Sequence, residues 1–103
     1  MGGIVDLDKQ LLEKIVNLIL SHKKPEKVVL FGSRAEGSSK KTSDIDIAVF
    51  AKDWTSRDFN IVKNCLEEEI ATPLKFDVVN FYGLTKESLK TNILKKGRVI
   101  YEA

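Results

Sequence analysis

The sequence predicts a small α/β (α+β) sandwich, in which a mixed β-sheet of three or four strands is flanked by helices. Three observations predict it. Segments with apolar residues at helical spacing alternate with short β-branched runs. The segments follow the order α-β-β-α-β-α-β. The 103 residues, 43% of them hydrophobic, suit a single domain over residues 1–103 with a modest core.

The first helix spans Leu7 to His22, with Leu7, Leu11, Leu12, Ile15, Leu18 and Ile19 along one face. Asp6 or Asp8 caps its start, and Lys23, Lys24 and Pro25 end it. Lys27 to Phe31 reads as a buried strand stopping at Gly32. Small polar residues then form a loop over 33–43, and a second strand runs from Asp44 to Phe50. A loop of that length is compatible with an antiparallel pair. Thr55 or Ser56 caps a helix to about Ala71 that turns Phe59, Val62, Leu66 and Ile70 inward, and Pro73 stops it. Phe76 to Phe81 is a third strand. Thr85 caps a short helix with Leu89, Ile93 and Leu94 inward, and Gly97 ends it. Arg98 to Tyr101 supplies a fourth strand at the edge.

Composition excludes several classes. Seventeen basic residues nearly balance fifteen acidic ones, and a net charge of +2 gives no electrostatic case for nucleic-acid binding. One cysteine, Cys65, rules out an internal disulfide and points to a reducing, cytoplasmic setting. With one His besides, a four-ligand zinc site is excluded. No apolar run reaches the roughly 18 residues of a membrane helix, and the first residues lack the order of a signal peptide.

The chemistry gathers in Phe31-Gly32-Ser33-Arg34-Ala35-Glu36-Gly37 and Ser43-Asp44-Ile45-Asp46-Ile47-Ala48-Val49-Phe50. Side chains alternate along a strand, so Asp44 and Asp46 share a face with Cα atoms about 6.5–7 Å apart. Two such carboxylates raise each other's pKa unless a cation sits between them, and magnesium prefers carboxylate oxygen. Asp77 is the only acid of an otherwise apolar third strand, and joins the pair if that strand lies beside the second. Gly32 lets backbone approach a phosphate closely, Ser33 offers a hydroxyl, and Arg34 a guanidinium. The stretch from Gly32 to Gly37 opens like a P-loop, but Ser38 and Ser39 stand where that motif needs Lys and Ser/Thr. The acidic pair does not complete an EF-hand either.

Gly32-Ser33, ten residues, then Asp44-x-Asp46 resembles the signature of the DNA polymerase beta-like nucleotidyltransferases, and the chain's size resembles their minimal (MNT) group. The resemblance implies a Gly-Ser turn on the triphosphate of an NTP. It implies Asp44, Asp46 and Asp77 on two Mg²⁺ ions, with Asp77 toward the acceptor, and Gly32, Ser33 and Arg34 at the nucleotide. The implied reaction moves a nucleoside monophosphate, AMP above all, from the NTP to a hydroxyl and releases pyrophosphate. Minimal members pair with helical HEPN-family proteins as toxin–antitoxin couples, and in some the acceptor is a tyrosine of the toxin.

Larger relatives carry a further domain that grips base and acceptor, which makes a partner chain the expected complement here; a homodimer is the other arrangement that so small a core invites. The competing function is a catalytically inactive antitoxin that acts only by covering its partner. A lone D-x-D is most often a solvated strand end; it is the Gly-Ser turn ahead of it and Asp77 behind it that favour a site. The remaining candidates have plainer readings. His22, Lys95, Lys96 and Arg98 complement helix C-termini, Cys65 is partly buried filler, Lys40 and Lys41 are solvated, and Trp54 anchors a connection or an interface.

Overall fold

The computed structural model describes residues 9–32, 44–70 and 75–103. Helix α1 (Lys9–His22) leads into strand β1 (Lys27–Phe31), followed by β2 (Ile45–Phe50), helix α2 (Ser56–Glu69) and β3 (Phe76–Asn80). A 3-10 turn (Phe81–Gly83), helix α3 (Glu87–Lys96) and strand β4 (Arg98–Glu102) complete the described chain. The sheet order is β3-β2-β1-β4. Strand β1 runs antiparallel to β2 and to β4, whereas β2 and β3 are parallel. The sheet is therefore mixed, as expected, with β4 at one edge and β3 at the other.

The period of two along each strand divides the core into two layers. On one face Val28, Leu30, Ile45, Ile47, Val49 and Phe76 pack with Ile15 and Ile19 of α1 and Val62, Leu66 and Ile70 of α2. On the other, Val29, Phe31, Ala48 and Phe50 meet only Phe81 and Ile93 as buried partners. Helices thus cover both faces, two on one side and α3 alone on the other. Phe50 stacks on Phe81 with ring centroids 4.2 Å apart, closing the second layer at the end of the sheet remote from Gly32.

Local chemistry explains the boundaries. The Thr55 side chain accepts the Asp58 N–H while the Asp58 carboxylate accepts the Thr55 N–H, a reciprocal capping box at the start of α2. The Asp58 Oδ1 also lies 3.0 Å from Nε2 of His22, so His22 ties the end of α1 to the start of α2 in addition to facing its own helix terminus. Trp54 is buried and anchors the connection from within, against His22 and Phe59. Gly97 ends α3 where a Cβ would strike the Ile93 carbonyl and the Val29 side chain, so close packing demands glycine there. The ladder between β1 and β4 slips by one residue between Val28 and Val29, leaving Ile100 as the extra residue of a β-bulge.

Three expectations need correction. Helix α3 begins at Glu87 with Lys86 at its cap and no side-chain capping bond, so Thr85 is not the cap. Leu94 is 61% exposed rather than inward, because α3 meets the sheet along the single line of Leu89 and Ile93, and Leu94 lies about 100° around the helix from Ile93. Phe81 belongs to the 3-10 turn and not to β3. Leu7 and the caps proposed at Asp6 and Asp8 lie outside the described residues, as does Ala71. No helix among the described residues is long and apolar enough to cross a membrane.

Candidate active site

The acids meet at the end of the sheet where β1 stops and β2 and β3 begin. Phe31 pairs with Asp46 across the antiparallel ladder, and Asp46 pairs with Asp77 across the parallel one. Paired residues share a face, and adjacent strands lie about 4.8 Å apart. Asp46 and Asp77 are therefore neighbours on the thinly covered face, the face of Phe31, Ala48 and α3. Asp44 stands just ahead of β2 and is exposed, as is Asp77, whereas Asp46 is half-buried. The condition left open by the sequence, that the third strand adjoin the second, is met.

The electrostatics follow from this placement. The Asp46 carboxyl is pushed up to about 6, first by burial and then by the negative charges of Asp77 and Asp44. Gly32 completes the cluster. Its φ of 76° is left-handed, and a Cβ on it would stand 2.5 Å from the Asp46 Oδ2. Glycine is needed there twice over, for the backbone turn and for the room it leaves the carboxylate. The sequence suggested only its approach to phosphate; the second reason appears once the hairpin register sets Phe31 opposite Asp46. Ser33 and Arg34 lie outside the described residues.

Among the described residues, no three His, Cys, Asp or Glu side chains converge into a ready-made metal cage. Magnesium keeps several waters and takes one or two carboxylates plus substrate phosphates rather than a closed protein shell. All-oxygen donors, adjacent in register and mutually repelling, fit that ion. A groove of about 430 Å³ lies elsewhere, between α1 and β4, and none of Asp44, Asp46 and Asp77 lines it.

The sequence over residues 13–103 matches the family described as "Polymerase beta, Nucleotidyltransferase". The chain belongs to that family. As a nucleotidyltransferase it also resembles solved structures. One described as a "putative minimal nucleotidyltransferase" is 28% identical with a TM-score of 0.70, covering 86% of this chain and 88% of the other. A toxin–antitoxin structure with AMP-PNP aligns at a TM-score of 0.76 and 24% identity, over 89% of this chain and 73% of that one. A structure of a tri-AMPylated Shewanella oneidensis HEPN toxin in complex with MNT antitoxin aligns at 0.73 and 21% identity, over 94% and 74%. At such identities the last two establish the fold, and the family match establishes a nucleotidyltransferase. No curated protein matches it in sequence.

Proposed function

We propose that this nucleotidyltransferase transfers AMP from ATP to a hydroxyl, and that the acceptor is a tyrosine of a HEPN-type toxin for which the chain serves as antitoxin. The observation that carries the catalytic part is the side-by-side register of Asp46 and Asp77 against Gly32. The partner is supported by the likeness to chains of toxin–antitoxin complexes, one of them with its toxin AMPylated.

Asp44, Asp46 and Asp77 would hold two Mg²⁺ ions, which when bound neutralise phosphate charge and lower the pKa of the attacking hydroxyl. The chain's own groups do the rest. Gly32 exposes backbone N–H groups to the phosphates, and Ser33 and Arg34 add a hydroxyl and a guanidinium. Asp77, exposed at the start of its strand, orients the acceptor and takes its proton. The acceptor oxygen bonds to the α-phosphorus as the bond to the leaving pyrophosphate breaks. With its carboxyl at about 6, Asp46 is mostly ionised at neutral pH, the form that binds cations.

Calorimetric titration of ATP, with and without Mg²⁺, into the native chain and Asp46→Asn tests this. The expected result is magnesium-dependent binding that the substitution abolishes. Binding that ignores both magnesium and Asp46 would sink the assignment. If the native chain binds no nucleotide even with its partner present, the inactive antitoxin that acts only by covering its partner takes its place.

A further inference from the structure

The end of α2 runs against helix electrostatics. Glu67, Glu68 and Glu69 occupy its last turn with no basic residue in that turn, at the terminus that carries partial negative charge. Glu67 has a partner that explains its position. Its Oε2 accepts the backbone N–H of Phe76 at 3.3 Å in a part-buried setting. Phe76 is the first residue of β3 and is 1% exposed.

Direction matters here. Strand β3 is an edge, with β2 on one side only. The Lys75 carbonyl accepts the Ile45 N–H at 2.9 Å on that side. Backbone groups of successive strand residues point opposite ways, so the Phe76 N–H faces away from β2. Among the described residues this donor has no strand to meet, and a buried N–H left unmet is costly. Glu67 supplies the acceptor from outside while β2 holds the neighbouring residue from inside. The helix end that carries Glu67 is itself fixed: Leu66 and Ile70 are buried, and the Ile70 N–H donates to the Leu66 carbonyl at 3.1 Å.

The residue after Phe76 is Asp77. We infer that Glu67 is a positioning residue for Asp77: by fixing the first backbone N–H of β3 it sets the Asp77 carboxylate opposite Asp46, and so the geometry in which the site holds a divalent cation with its nucleotide. The inference rests on the reading of Asp44, Asp46 and Asp77 as the cation-holding set. Glu67 acts through a hydrogen bond and not through its charge, so a neutral acceptor of the same length can replace it.

The test uses Mn²⁺ as the probe, titrated with AMP-PNP into isotope-labelled protein. Paramagnetic broadening at Asp77 gives the affinity, and hydrogen exchange of the Phe76 amide reads the tether without metal or nucleotide. Glu67→Ala should weaken Mn²⁺ binding about tenfold, the usual effect of removing an outer partner of a ligand, and speed Phe76 exchange. Glu67→Gln should match the native chain in both. Glu67→Asp, which keeps the charge but is a methylene shorter, should behave like Glu67→Ala and decides the matter if that variant does not fold. Glu68→Ala, which removes the same charge from the same turn, should change neither. Native Mn²⁺ affinity in Glu67→Asp and Glu67→Ala would overturn the inference even if they melt earlier, because a merely structural role moves only stability. A Gln variant as weak as the Asp one would overturn it by assigning the effect to charge, and unaltered Phe76 exchange would overturn it by removing the tether. If the native chain itself shows no Mn²⁺ broadening at Asp77, the site reading falls and the inference falls with it.

Discussion

Replacing Asp46 with Asn should make the metal-free protein more stable while removing its nucleotide binding. The reason is the carboxyl's displacement from 3.8 to about 6. An acid whose folded pKa is raised favours folding in its protonated form. Its contribution is full below the unfolded value and is lost as pH rises through about 6. Each pKa unit corresponds to about 1.36 kcal/mol, so the rise from 3.8 to about 6 sets a ceiling of about 3 kcal/mol. Asp46 is only half-buried, and solvent screening reduces the working figure to about 1 kcal/mol. For a domain of this size that is about 4–8 °C in Tm. Asn mimics the protonated carboxyl, so it should regain at pH 8 what the native chain has given up. Paired thermal melts in a chelator at pH 8 and pH 4.5 check this: the variant should melt higher at pH 8, and most of the gap should close at pH 4.5. Added Mg²⁺ should raise the native chain alone. A variant less stable at pH 8, or a gap indifferent to pH, would refute the argument that this site stores repulsion for a cation to relieve.

Three other outcomes follow from the same geometry. Asp77→Asn should lower the Asp46 pKa toward its ordinary value by removing a neighbouring charge, which a carboxylate NMR titration would register; an unmoved titration would mean that the two acids do not sense each other. Gly32→Ala should cost about 1–3 kcal/mol in urea unfolding, since a left-handed φ and the Asp46 carboxylate both resist a methyl; a change below about 0.5 kcal/mol would contradict this. Asp58 behaves oppositely to Asp46: the Thr55 N–H, then His22, hold its carboxyl down at about 2. A depressed acid gives stability above its unfolded value and loses it as pH falls through the folded one, so the native chain's advantage over Asp58→Asn should shrink from pH 4 to pH 2 in acid titrations followed by circular dichroism.

Much of this was legible in the sequence because short-range chemistry decided it. The strand of Val28 to Phe31 and the inward row of Val62, Leu66 and Ile70 have strong periods and little competition. The nearness of Asp44 to Asp46 follows from their spacing of two, although β2 begins at Ile45 and leaves Asp44 ahead of the strand in which alternation placed it. The conjunction with Asp77 did not, since it needs the third strand to cross back parallel to the second, and it was legible only as a condition. The Leu94 error came from a helix too short and too weakly patterned to fix its own rotation: one turn of contact, Leu89 to Ile93, decides which side faces the sheet. Glu67 with Phe76 and His22 with Asp58 depend on where α2 ends and begins in space, and no spacing rule brings such residues together. The face that carries the acids was likewise invisible, because both layers of the sheet are apolar.

The bulge at Ile100 reaches beyond β4 itself. An exposed edge strand is a template along which another chain can zip. A segment laid along β4 would find the donors and acceptors in phase over Arg98 and Val99 and out of step past Ile100, where the extra residue breaks the repeat. Growth of the sheet by a fifth strand is thereby stalled after two residues. A nucleotidyltransferase gains from this: its strand ends and helices stay open to other molecules without copies of itself polymerising edge to edge at high concentration.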